Sequence, residues 1–297
     1  MLDATPTIAH RGAWVARGLL TAARPRQWIK NLFVFAALVF AGKLDNGTSF
    51  AEAIACFAAF CAASSAAYLL NDVVDLDSDR AHPVKSRRPI AAGVVAPRLA
   101  LMVAAALATL AIAGGFALDV GVGAYVCGFL AIQIAYSATL KHVALLDVMV
   151  IAGLFVIRAA AGAQAIGVPS SDWLLVCTAM IALFLGFAKR RGELVLVHAD
   201  RTPGRAVLDD YSLALVDQLL AIVGASTIIA YTLYTIDAVK HSFLATVPFV
   251  VFGIFRYLLL VHKEDLGEEP ERVLLSDRQI ILAVAGWIAV AAFLKLR

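Results

Sequence analysis

From Leu99 to Leu140 the chain carries a single charged side chain, Asp119. Water-soluble folds do not need an uncharged run of that length. Two membrane-crossing helices of ~20 residues each, meeting near Asp119, do. Comparable runs recur, and nine candidate spans can be counted: about 23–43, 50–70, 99–118, 120–140, 145–167, 172–188, 213–236, 242–262 and 279–296. They are continuous rather than alternating in polarity, which selects helices over a barrel. The sequence therefore predicts an all-α polytopic membrane protein, a bundle of about nine transmembrane helices forming one domain over residues 1–297. Only 16% of the residues are charged, against roughly a quarter in soluble domains, so the surface of such a bundle is written for lipid. The net charge of +3 is too small to imply a nucleic-acid partner. The first thirty residues lack the pattern of a removable signal peptide. Cys56, Cys61, Cys127 and Cys177 lie in apolar runs without a Cys-x-x-Cys pair and read as small buried hydrophobes.

Nine spans place alternate loops on one side. Of the 25 lysines and arginines, 20 fall in 1–30, 71–98, 141–142, 189–211 and 256–278, and four on the opposite side. The positive-inside tendency assigns the first set, with the amino terminus, to the cytoplasm.

At the end of the second span the sequence reads "YLLNDVVDLDSDRAHPVKSRRPIAAG", with four aspartates within eight residues. Continued as a helix at about 100° per residue, Asn71, Asp72, Asp75 and Asp79 share about a quarter turn, and Asp77 falls on the far side. Carboxylates gathered on one face repel unless a cation sits among them. Mg²⁺ suits such a site, being a hard ion bound by a few carboxylates together with substrate phosphates. Asp72, Asp75 and Asp79 are thus the expected metal ligands and catalytic residues. The plainer reading is a solvated helix end balanced by Arg80 and Lys85. The Lys85, Arg87 and Arg88 that follow suit phosphate oxygens, so a diphosphate substrate beside a lipid-soluble one is expected.

"NDVVDLDSD" resembles the N-D-x-x-D-x-x-x-D signature of the UbiA superfamily of intramembrane prenyltransferases. The resemblance implies a nine-helix bundle with cytoplasmic active-site loops after helices two and six, here about 71–98 and 189–211. Members that prenylate aromatic rings carry a D-x-x-x-D motif in the second loop. Here that loop offers Glu193, Asp200, Asp209 and Asp210, no two of them four apart, and instead reads "KRRGEL", with Lys189 and Glu193 an i,i+4 pair. "RPRQWIKN", "YSATLKH", "KRRGEL", the Asp-Tyr-Ser of 210–212 and "EPERVLLSDR" are similar to the branch represented by the decaprenyl-phosphate phosphoribosyltransferases. That branch implies transfer of a 5-phosphoribosyl group from phosphoribosyl diphosphate to a polyprenyl phosphate, with release of diphosphate. The product serves arabinose precursors of bacterial cell envelopes, which implies the inner membrane. Asn71, Lys85, Arg87 and Arg88 would contact the substrate. Lys189 and Arg190, or Lys30 and Arg26, would grip the 5-phosphate, with Glu193 beside them. Tyr136 and Lys141 match positions that line the family's diphosphate pocket. Prenyl transfer from a polyprenyl diphosphate to an aromatic acceptor is the alternative. A transporter would instead place its acids near the bilayer midplane. Arg158, inside a span, should face a cavity or an internal partner such as Asp147 or a carbonyl. His82, His142, His198 and His262 show no metal-ligand spacing and read as surface residues. A homo-oligomer is left open.

Overall fold

A computed structural model of the chain describes residues 8–199, 206–237, 241–263, 273 and 276–296. Every regular element in it is helical: α1 (Ile8–Ala22), a 3₁₀ run (Pro25–Phe35), α2 (Ala36–Phe40), α3 (Gly47–Val74), α4 (Leu76–Ala81), α5 (Pro97–Leu118), α6 (Val120–Ala138), α7 (Leu146–Ala165), α8 (Asp172–His198), α9 (Leu213–Asp237), α10 (Val247–Lys263) and α11 (Arg278–Leu296). Seven described helices are long and apolar enough to cross a membrane: α3, α5 to α9, and Ser242–Lys263, which contains α10. These coincide with seven of the nine expected spans. The last expected span is a shorter apolar helix, Arg278–Leu294. The first, 23–43, is not one continuous α-helix.

The reason lies in "RPRQWIKN". Arg24 precedes a proline, which disfavours the right-handed helical region, and it adopts φ 53°, ψ 60°. The 3₁₀ run that follows has three residues per turn, which stacks residues i and i+3. Trp28, Asn31 and Val34 therefore form one edge. Trp28 donates its indole N–H to Ser65 Oγ at 3.1 Å. Asn31, fully buried, donates to Cys61 Sγ and accepts from Ser64 Oγ, both at 3.3 Å. The polar edge is thus matched to the small polar residues of α3, and the tighter winding keeps it in register.

Contacts divide the chain into two compact units, residues 1–137 with 160–168, and residues 138–159 with 169–297. In the first, α3 packs chiefly against α5. Asn46 caps α3 by accepting from the Ser49 N–H at 3.0 Å. Gly162, near the end of α7, has no room for a side chain: a Cβ there would lie 1.9 Å from the Val34 carbonyl oxygen. The outer face of α5 exposes Leu101, Met102, Leu110 and Phe116, apolar groups suited to lipid. In the second unit α8 packs chiefly against α9, around Phe184, Leu220, Ile254 and Tyr257. The protein is a multi-pass membrane protein.

Candidate active site

The acidic motif begins in the last turn of α3 and crosses a break. α3 ends at Val74, Asp75 (φ −86°, ψ 11°) joins it to α4, and α4 carries Asp77 and Asp79. The expected continuous helix is therefore interrupted at Asp75. The i→i−4 ladder still bridges the joint, since Asp75 N–H donates to Asn71 O at 2.9 Å and Asp79 N–H to Asp75 O at 2.8 Å. The shared face survives for that reason. Asp72 and Asp79 are both buried, Asn71 and Asp75 are half-buried, and Asp77 points outward, 3.9 Å from Arg80.

Two arginines answer the buried carboxylates. Arg88 Nη1 lies 2.6 Å from Asp79 Oδ2 and 3.2 Å from Asp72 Oδ1. Arg24 Nη2 lies 2.5 Å from Asp72 Oδ1, and its guanidinium sits 4.9 Å over the Tyr68 ring. Arg24 was not singled out by sequence reasoning; the signal available was its place before Pro25, which excludes the conformation its neighbours adopt. Arg88 is delivered by a compact loop. Ile90, Ala91 and Val95 are buried under it, Ala92 N–H donates to Arg88 O at 2.8 Å, and Gly93 supplies the left-handed turn at φ 75°. His82 Nδ1 accepts from the Val84 and Lys85 N–H groups at 3.2 and 3.3 Å, so its proton is on Nε2. Burial and the adjacent Lys85 hold its pKa below the usual histidine value, which keeps the ring neutral. Lys85 is half-buried and Arg87 exposed in the same loop; Arg26 is exposed and Lys30 half-buried on the 3₁₀ run.

The expected set of three aspartates around one cation is not assembled: among the described residues no three His, Cys, Asp or Glu side chains are placed to hold a metal ion. The convergence that a divalent ion would need is nevertheless present. One oxygen each of Asp72 and Asp79 lies within hydrogen-bond reach of a single cationic nitrogen of Arg88, and both donors are hard oxygens. The residues fit such an ion.

In the second unit the two arginines of "KRRGEL" are built into the protein. Arg190 is only 2% exposed. Its Nε donates to Asp147 Oδ2 at 2.6 Å, and its Nη1 pairs with Glu193. Tyr211 donates to Asp147 Oδ1 at 2.7 Å and accepts from the Leu145 N–H at 2.7 Å. Burial, then the bond to Asp147, pushes the Tyr211 pKa above its usual value, so it remains a donor. Asp147 is fully buried at the start of α7 and needs these partners. Arg191 donates to Asp217 Oδ1 at 2.7 Å and to Val261 O at 3.0 Å. Lys189 and Lys141 are half-buried, the latter on the 3₁₀ turn Leu140–His142. Tyr136, half-buried, ends α6 in the first unit. Arg158 is buried and donates to the Leu154 carbonyl at 2.8 Å over the Phe155 ring, a carbonyl partner as expected. The Asp200 end of the second loop and most of "EPERVLLSDR" lie outside the described residues. Of the latter, Asp277 caps α11 by accepting from Ile280 N–H at 2.9 Å and pairs with Arg256 at 2.8 Å.

With this geometry in place, the sequence pattern of the UbiA prenyltransferase family matches residues 31–273. The chain belongs to the UbiA prenyltransferase family. Within curated relatives of this UbiA protein, the decaprenyl-phosphate phosphoribosyltransferase of Mycolicibacterium smegmatis is 35% identical over 288 residues, covering 91% of this chain and 90% of that one. The protein of the same name from Mycobacterium tuberculosis is 36% identical over 282 residues, 92% of each chain. Nodulation protein NoeC of Azorhizobium caulinodans is 26% identical over 282 residues, 89% of each chain. Among solved structures, the fold is similar to a UbiA homolog from Archaeoglobus fulgidus bound to DMAPP and Mg²⁺, with TM-score 0.72, 19% identity and coverage of 92% and 97%.

Proposed function

We propose that this UbiA-family protein transfers a 5-phosphoribosyl group from phosphoribosyl diphosphate to a polyprenyl phosphate and releases diphosphate. The convergence of Asp72 and Asp79 on the Arg88 guanidinium carries the reading, because it gathers two buried carboxylates and a half-buried cation where a metal diphosphate needs both signs. The relatives that bear the corresponding name, matched over nine tenths of both chains, supply the choice of donor and acceptor.

Asp72 and Asp79 would hold Mg²⁺, which when bound would offset the charge on a leaving diphosphate; Asp75, half-buried at the joint between them, is the third carboxylate we assign to the same site. Arg88 and Arg24 exchange carboxylate partners for phosphate oxygens, which Arg binds in a bidentate fork. Asn71 donates from the same turn. The acceptor phosphate is already ionised at neutral pH, so its oxygen attacks the ribose C1 without a general base. The C1–O bond to diphosphate breaks with the electron pair leaving on that oxygen, and no proton moves. The work of the chain is to position anions that otherwise repel and to stabilise charge as it shifts onto the diphosphate. Lys85, Arg87, Lys30 and Arg26 are the cations we assign to the remaining phosphate groups, with Tyr136 as a neutral donor. Arg190, Glu193 and Arg158 hold helices in place rather than touch substrate. The bias of 20 cations to four supports a cytoplasmic position for these loops, on the inner face of a bacterial membrane.

The test is purified protein in nanodiscs with radiolabelled phosphoribosyl diphosphate, decaprenyl phosphate and Mg²⁺. Label should move to the lipid fraction. Folded protein that leaves the label in water while consuming an isoprenyl diphosphate would replace this reading with prenyl transfer.

A further inference from the structure

We infer that α1 is an interfacial helix whose outer face binds the anionic phospholipid headgroups of the membrane this chain crosses. The inference goes beyond the transferase reading and does not depend on it.

α1 has 15 residues, too few to span a bilayer. Its inner face is committed to protein. Gly18 and Ala22 are buried. Ala22 and Leu19 join the cluster of Leu69, Ile90, Val95, Ala100 and Ala104. A Cβ at Gly18 would meet Val95 at 2.8 Å and Val94 at 3.1 Å. These neighbours are the end of α3, the start of α5 and the loop between them, so α1 runs beside the charged edge of the bundle rather than through its apolar middle.

The outer face is different. At about 100° per residue, Leu20, Arg17, Thr21 and Trp14 occupy an arc of roughly 120°, and all four are exposed. Trp14 is 71% exposed and Leu20 60%. An exposed Trp and Leu flanking an Arg, on a helix too short to cross, are the composition of a helix lying in the headgroup layer. Charge selects the partner. Arg17 is exposed on this face, and the sequence holds no Asp or Glu from Ala4 to Leu44. An exposed cation flanked by apolar side chains, with no acid in the surrounding sequence, at the edge of a membrane bundle complements anionic lipid. An acidic protein would meet the charge but not the apolar flanks.

The experiment is hydrogen–deuterium exchange of the full chain in nanodiscs of phosphatidylcholine, with or without phosphatidylglycerol. Amides of residues 12–22 should exchange more slowly with phosphatidylglycerol. Arg17→Gln should weaken that dependence about five-fold, the contribution of one surface cation. Concentrated salt should remove it by screening. Trp14→Ala should raise exchange in both lipids. Peptides from α5 serve as the folding control. Equal exchange in the two lipids, or an Arg17→Gln protein that keeps the full difference with α5 unchanged, overturns the proposal and leaves the face to a soluble acidic partner.

Discussion

Replacing Arg190 with Met distinguishes a strut from a substrate ligand. The guanidinium is 2% exposed and bonds Asp147, which is fully buried. Removing it leaves the Asp147 carboxylate with the Tyr211 hydroxyl as donor but without the Arg190 cation. Stranding one member of a buried ion pair costs about 3–5 kcal/mol. At roughly 2–4 °C per kcal/mol for a protein of about this size, the melting temperature should fall by about 6–20 °C. Asp147→Asn added to Arg190→Met removes the stranded charge, so the double variant should be more stable than Arg190→Met alone, with a coupling energy above ~1 kcal/mol. The measurement is thermal unfolding in detergent with no substrate or metal, followed by intrinsic fluorescence. The reasoning fails if Arg190→Met melts with the parent while losing affinity for phosphoribosyl diphosphate. In that case Arg190 reaches the substrate, as the basic loop suggested from sequence.

Three further outcomes can be measured. Asp72→Asn should abolish label transfer to lipid without lowering the melting temperature in parallel; retained transfer at a normal rate would remove the metal-site assignment. Gly162→Ala should destabilise by about 1–3 kcal/mol, because its Cβ meets the Val34 carbonyl at 1.9 Å and backbone must move; an unchanged melting temperature would refute that close approach. Asp277, outside the spans, has its pKa lowered chiefly by the hydrogen bond from Arg256. A depressed carboxylate stabilises the fold above its unfolded pKa of about 3.9, and that contribution is lost as pH falls through the folded value. The parent should therefore lose stability on acidification below about pH 4 relative to Asp277→Asn, and parallel pH curves for the two would contradict the pairing.

The membrane architecture was legible in the chain because the decisive information is local. An uncharged run such as Leu99–Leu118 must satisfy its backbone within itself, and the structure has it as α5. The acid stripe was legible for the same reason: helical spacing alone predicts Asp72 and Asp79 together and Asp77 apart, and the ladder through Asp75 preserves this. Sequence reading failed where a local pattern met a distant partner. The 23–43 stretch has the composition of a span, yet Asn31 and Trp28 bond α3 residues some thirty to forty positions away, and those bonds set the 3₁₀ winding.

Sequence by itself determined seven of the apolar helices, which face of α3 and α4 is acidic and how the cations are distributed, since each follows from residue spacing of one turn or one span. Tertiary structure alone decided which charges meet. Arg24 reaches Asp72 across 48 residues and Arg190 reaches Asp147 across 43. A buried carboxylate accepts whichever cation the packing brings within about 3 Å, and no periodicity records that choice.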